Sequence, residues 1–130
     1  MEELKKLVKE ILDQAYIMSL ATVDESGPWV SDLVFVYDDD FTIYWLALPN
    51  TRRSQAILKN PKVAASITVS NNQGEDNVGL QLEGIAEKIE GDILEIATKH
   101  LNKRKKPAPT KEGEIFEGNQ CWYKLKPSKI

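Results

Sequence analysis

Two adjacent arginines, Arg52 and Arg53, stand where a helix should begin, in the run Pro49-Asn50-Thr51-Arg52-Arg53-Ser54-Gln55. A helix N-terminus carries about half a positive charge and directs unsatisfied N–H groups outward, so Asp and Glu suit it and Arg does not. A bound anion reverses that conflict. Backbone N–H groups, the Thr51 and Ser54 hydroxyls and two guanidinium forks could then face one phosphate. The residues alone leave a second possibility open: both arginines point to solvent or pair with a carboxylate elsewhere in the chain.

Other chemistry-bearing residues give less. The single cysteine, Cys121, excludes an intrachain disulfide and reads as a small hydrophobe in a reducing compartment. The single histidine, His100, falls on a helix expected at the surface, a poor setting for a haem or metal ligand. Asp38-Asp39-Asp40 reads as a polar hairpin turn rather than a cation site. The basic run Lys103-Arg104-Lys105-Lys106 falls at a helix C-terminus, where cations are favourable without any nucleic-acid partner. Trp29, Trp45 and Trp122 read as core or interface residues.

The elements that must position the arginines follow from periodicity. Leu4, Leu7, Val8, Ile11 and Leu12 form one helical stripe, predicting a helix over 2–14. Strands are expected over Tyr16–Val23, Trp29–Tyr37 and Phe41–Leu48, joined by the Asp24–Pro28 and Asp38–Asp40 turns, with Gly27 able to take positive φ. The arginine helix runs to Lys59 and stops at Asn60-Pro61. Strands over Lys62–Ser70 and Val78–Ile89 follow, the latter with Gly84 marking a bulge or close backbone approach. Gly91-Asp92 caps a helix ending near Lys106, Pro107–Gly113 is a loop, and a last strand spans Cys121–Leu125, closed by Pro127. With 42% hydrophobic and 28% charged residues over 130 positions, the chain reads as a single domain, 1–130. Its net charge of −3 does not favour nucleic acid, and no run approaches the roughly 20 apolar residues of a membrane span. The N-terminus lacks an apolar leader core, so the expected location is cytoplasmic.

Several of these motifs occur in a familiar order. "SLATVDESG", a strand ending in acidic residues, a Tyr/Trp-containing strand and "NTRRSQAILKNPKVA" together resemble the pyridoxamine-phosphate-oxidase-like family of flavin-binding proteins. The resemblance covers residues 15–90, and more weakly Trp122–Pro127. It implies a mainly β fold with flanking helices, a six-stranded antiparallel split β-barrel that forms a homodimer with FMN between protomers; relatives use FAD, a deazaflavin or haem. It places Thr51, Arg52 and Arg53 on the phosphate, Ser31, Leu33, Val34 and Phe35 of the second strand beside the flavin ring, Leu46 on the strand leading into the phosphate loop, and Gln81 on the fifth strand. It implies a flavin-dependent oxidoreductase acting on a small molecule, or a flavin-binding, sensor or dimerisation module without redox activity.

Three departures argue against the oxidase reaction itself. Asp32 replaces an arginine of the second strand. Gly79 replaces a glutamine, although Gln81 lies on the same strand face. The C-terminal arginine-rich segment that completes the oxidases' vitamin site is missing.

Overall fold

The computed structural model describes residues 2–69, 74, 78–90, 94–103 and 121–129. Helix α1 (Glu2–Gln14) leads into strands β1 (Ile17–Asp24), β2 (Gly27–Val34), β3 (Val36–Tyr37) and β4 (Ile43–Ala47). Helix α2 (Arg52–Lys59), strands β5 (Lys62–Val69) and β6 (Val78–Lys88), helix α3 (Leu94–Lys103) and strand β7 (Cys121–Lys129) follow. The expected Pro107–Gly113 loop, the Gly91-Asp92 cap and the basic residues beyond Lys103 lie outside the described residues.

All strand pairs are antiparallel, in the order β2-β1-β5-β6-β7-β4-β3. The two ends of that order, β2 and β3, are halves of one run separated only by Phe35. The sheet therefore curls until its first and last strands are joined through the chain, a mainly β split barrel with helices outside. Seven strands replace the expected six because this run changes partner at Phe35, pairing with β1 before it and β4 after it.

That switch interrupts the hydrogen-bond ladder, and α3 covers the interruption. His100 Nε2 lies 3.3 Å from the Val34 carbonyl, and Lys103 Nζ donates to the Phe35 carbonyl. His100 is thus buried, against the expectation of a surface position, because α3 packs it edge-on against Trp122 at 5.1 Å between ring centroids. A helical stripe identifies the inward face of an isolated helix but not the depth of the groove that receives it.

Alternation sorts the side chains. Met18, Leu20, Leu33, Ile43, Trp45, Val63, Ile67, Leu82, Tyr123 and Leu125 point into the barrel, where α1 contributes Val8, Ile11 and Leu12 and α2 contributes Ile57. Leu46 and Trp122 point outward into a smaller apolar cluster with Ala97 of α3. Gly27 takes φ +108° at the first hairpin turn, as its sequence context requires.

Strand β7 continues to Lys129 instead of ending before Pro127. Pro127 sits opposite Gly84, where the β6–β7 register shifts, so its missing N–H falls at a break in the ladder. A Cβ on Gly84 would lie 2.2 Å from the Lys126 carbonyl oxygen. Gly84→Ala must therefore separate the two strands and is expected to destabilise the fold by about 1–3 kcal/mol. Urea denaturation reads this directly, and an unchanged midpoint would contradict the close approach.

Candidate functional site

Thr51 is the N-cap of α2. Its extended backbone precedes the first helical turn and its Oγ1 accepts from the Ser54 N–H at 3.3 Å. The same hydroxyl donates to Ser54 Oγ at 2.8 Å, and Ser54 Oγ donates to the Leu48 carbonyl at 2.8 Å. Both hydroxyls are thereby spent on holding the entry to the helix. Residues 52 and 53 occupy the first two helical positions, whose N–H groups no helical carbonyl satisfies.

The two arginines have different fates. Arg52 reaches the β1–β2 turn and meets Asp24 with both prongs, Nε to Oδ2 at 2.8 Å and Nη2 to Oδ1 at 3.1 Å. Its guanidinium also lies over the Trp29 ring, 4.4 Å from the centroid. Arg52 therefore takes a carboxylate from within the chain, one of the alternatives its sequence context leaves open. The hydrogen bond from Arg52 holds the Asp24 carboxyl below its ordinary value.

A carboxyl depressed in the folded state contributes stability above its unfolded pKa and loses it as pH falls through the folded value. Asp24→Asn should therefore have a lower urea midpoint than the parent at pH 7. The gap should narrow as the pH falls below the ordinary carboxylate value of about 3.9. A gap of equal size at both pH values would mean the ion pair contributes nothing.

Arg53 is half-buried, and among the described residues no carboxylate meets it. Its Nε is buried without a hydrogen-bond partner. Burial pulls its pKa down, with Tyr123 opposing. No anion among the described residues balances this cation on the first turn of a helix.

Two buried hydroxyl oxygens without partners, Thr22 Oγ1 and Ser31 Oγ, belong to β1 and β2, the strands α2 packs on. Both share the inward sheet face, since Thr22 pairs with Trp29 and Ser31 with Leu20 in adjacent registers. Buried polar atoms without partners are uncommon in folded proteins. Here three of them belong to one helix and the hairpin beneath it.

The remaining candidates lie elsewhere. Leu33 and Phe35 are buried in the barrel core, so only their backbone is available to a ligand. Val34 is half-buried and its carbonyl faces His100. Leu46 is held beneath α3. Gln81 is exposed on the outer face of the sheet, in a groove of about 540 Å³.

The registers align Asp32, Ser19, Ser66 and Gln81 in one outward row across four strands, beside a second row of Val30, Ala21, Ala64 and Glu83. Ser19 Oγ donates to Asp32 Oδ1 at 2.6 Å. Small side chains at the centre of both rows leave the groove shallow and flat. Sequence reading does not single out Asp24 as the partner of Arg52, because a contact spanning 28 positions leaves no local signal.

Among the described residues no helix is long and apolar enough to cross a membrane, and no group of His, Cys, Asp and Glu is arranged to hold a metal ion. At the aspartate turn, Asp38 accepts from the Asp40 and Thr42 N–H groups and from the Tyr44 hydroxyl, which occupies its oxygens within the chain.

Known proteins similar to this chain come from several sources. A UPF0306 protein of Yersinia pestis is 21% identical over 120 residues, covering 92% of this chain and 82% of the relative. HutZ, the haem storage protein of Vibrio cholerae, superposes with a TM-score of 0.76 at 19% identity, covering 98% of this chain and 92% of that one. General Stress Protein 26 of Bacillus anthracis gives a TM-score of 0.73 at 21% identity, covering 96% and 89%. At these identities the structural likenesses show the fold alone. The family model for pyridoxamine 5'-phosphate oxidase matches residues 4–129, nearly the whole chain, and the protein belongs to that family.

Proposed function

We propose that this protein binds FMN and uses it in electron transfer to a small substrate. The observation that carries the reading is Arg53, a half-buried guanidinium on the first turn of α2 whose Nε meets no partner among the described residues. An FMN phosphate would accept from Arg53 and from the free N–H groups of that turn. Arg52 is not part of this cradle; it braces the β1–β2 turn that borders it. Thr51 shapes the helix entry rather than donating to the ligand.

Bound FMN would supply reversible hydride or single-electron transfer. The chain's part is to hold the phosphate and to present the backbone of the Ser31–Phe35 run along the ring. With the ring there, Asp32 would disfavour negative charge on it and lower its reduction potential. No acid, base or nucleophile is assigned. The same arrangement serves a flavin carrier or sensor equally well if no substrate is turned over.

The protein is proposed to work as a homodimer through the outer face of β1, β2, β5 and β6. That face exposes Val30 and Ile85 amid small side chains, and a second copy would pack its own sheet there. Haem, the cargo named for HutZ, suits this chain less well. His100 is packed on Trp122, with its Nε2 against a backbone carbonyl.

Absorbance titrations of the dialysed protein with FMN and with hemin separate the two ligands. Saturable FMN binding near one per chain, with hemin binding weak, is expected. Tight hemin binding with no response to FMN would replace the flavin assignment.

A further inference from the structure

Helix α3 carries two lysines one turn apart, Lys99 and Lys103, and both line a cleft of about 520 Å³ between α1, α3 and β3. The cleft also presents Lys9, Asp13, Tyr37 and Asn102. Asp13 is fully engaged: its Oδ1 accepts from the Tyr37 hydroxyl and its Oδ2 pairs with Lys9 at 3.0 Å. Lys9 is thereby neutralised. Among the described residues, neither Lys99 nor Lys103 has a carboxylate within ion-pair distance.

Lys103 is held in an unusual way for an ammonium. Its Nζ lies 3.5 Å from the centroid of the Phe35 ring and donates to the Phe35 carbonyl. Burial pulls its pKa down to about 8, with Asp13 opposing. Around one molecule in ten then carries a neutral amine at pH 7. Besides Asp13, the charged or titratable groups facing this cleft are Lys9 on α1, Lys99 on α3, Tyr37 on β3 and Asp39 of the following turn. A neutral amine can keep its hydrogen bond to the Phe35 carbonyl while turning its lone pair toward the cleft. A half-buried lysine beside a second cation is the setting in which amines become nucleophiles at neutral pH.

We propose that this cleft takes a small aldehyde acid, with Lys103 forming an imine at the aldehyde carbon and Lys99 meeting the carboxylate. Side chains at i and i+4 of a helix are neighbours, about 5–6 Å apart at Cβ, a span a two- or three-carbon aldehyde acid bridges. Asn102 adds an amide donor at the rim. In the reaction the lysine nitrogen forms a bond to the carbonyl carbon. The carbonyl oxygen leaves as water with both amine hydrogens, so no oxidant or reductant is needed. The cleft lies on the α1–α3 side of the barrel, whereas Arg53 belongs to α2, so this site does not depend on the flavin reading.

The test uses the full chain, glyoxylate as probe, cyanoborohydride to trap the imine, and peptide mapping by mass spectrometry. Lys103 should be modified at least tenfold faster than Lys5 or Lys6 on α1. The rate should saturate with glyoxylate and rise with pH to a midpoint near 8. Lys99→Gln should raise the half-saturating concentration severalfold while Lys103 is still labelled. Lys103→Arg should abolish the fast phase with the circular dichroism spectrum unchanged. If that variant does not fold, the saturation and site mapping of the parent chain decide alone. Labelling of Lys103 no faster than Lys5, or a rate linear in glyoxylate, would overturn the proposal.

Discussion

Replacing Arg53 by alanine is expected to weaken FMN binding by about 100-fold. A charge-assisted contact from a partly desolvated guanidinium to a phosphate, lost while the phosphate stays, costs about 3 kcal/mol. The effect should be large because, among the described residues, no carboxylate meets Arg53, which leaves its charge for an anion. Arg52→Ala provides the contrast. Its guanidinium is committed to Asp24 and stacked on the exposed Trp29, so its removal should loosen the β1–β2 turn and change FMN affinity only severalfold. Isothermal titration of both variants gives the comparison. Equal losses would mean that the two arginines act as one site despite their different partners.

Trp45→Ala should destabilise the fold by about 3–5 kcal/mol, a large part of the roughly 5–15 kcal/mol available to a domain. The Trp45 side chain is 1% exposed and stacks on Tyr123, with centroids 6.0 Å apart and planes 12° from parallel. Both rings fill the barrel interior, so truncation leaves a cavity bounded by sheet backbone that cannot collapse. Trp29→Ala removes a ring that is 44% exposed and should shift stability by less than about 1 kcal/mol. Urea denaturation followed by circular dichroism measures both. A Trp45→Ala loss below 1 kcal/mol would place that ring outside the core.

The strands were readable because alternation and turn residues are local signals. Gly27, Gly84 and the Asn60-Pro61 stop each marked a backbone event that the fold contains. The division of the second run at Phe35 was not readable, since it arises from which strand pairs on each side, a property of barrel closure rather than of the residues between 29 and 37. Burial of His100 leaves no local signal for the same reason: its depth is set by the seam that α3 covers.

At the candidate site, sequence placed both arginines on the first turn of a helix but could not tell them apart. Only the hairpin geometry brings Asp24 to Arg52, while Arg53 meets no counter-charge among the described residues. Lys103, read from sequence as one of a solvated basic run, is set apart by its contact with Phe35, which lies 68 positions away.

The most direct test of the flavin reading is the affinity of the unmodified protein for FMN relative to riboflavin, measured by quenching of flavin fluorescence. The two ligands share the ring and ribityl chain and differ in the phosphate. An anion cradle at Arg53 predicts that FMN binds about 100-fold more tightly. Equal affinities, or no quenching by either ligand, would contradict it.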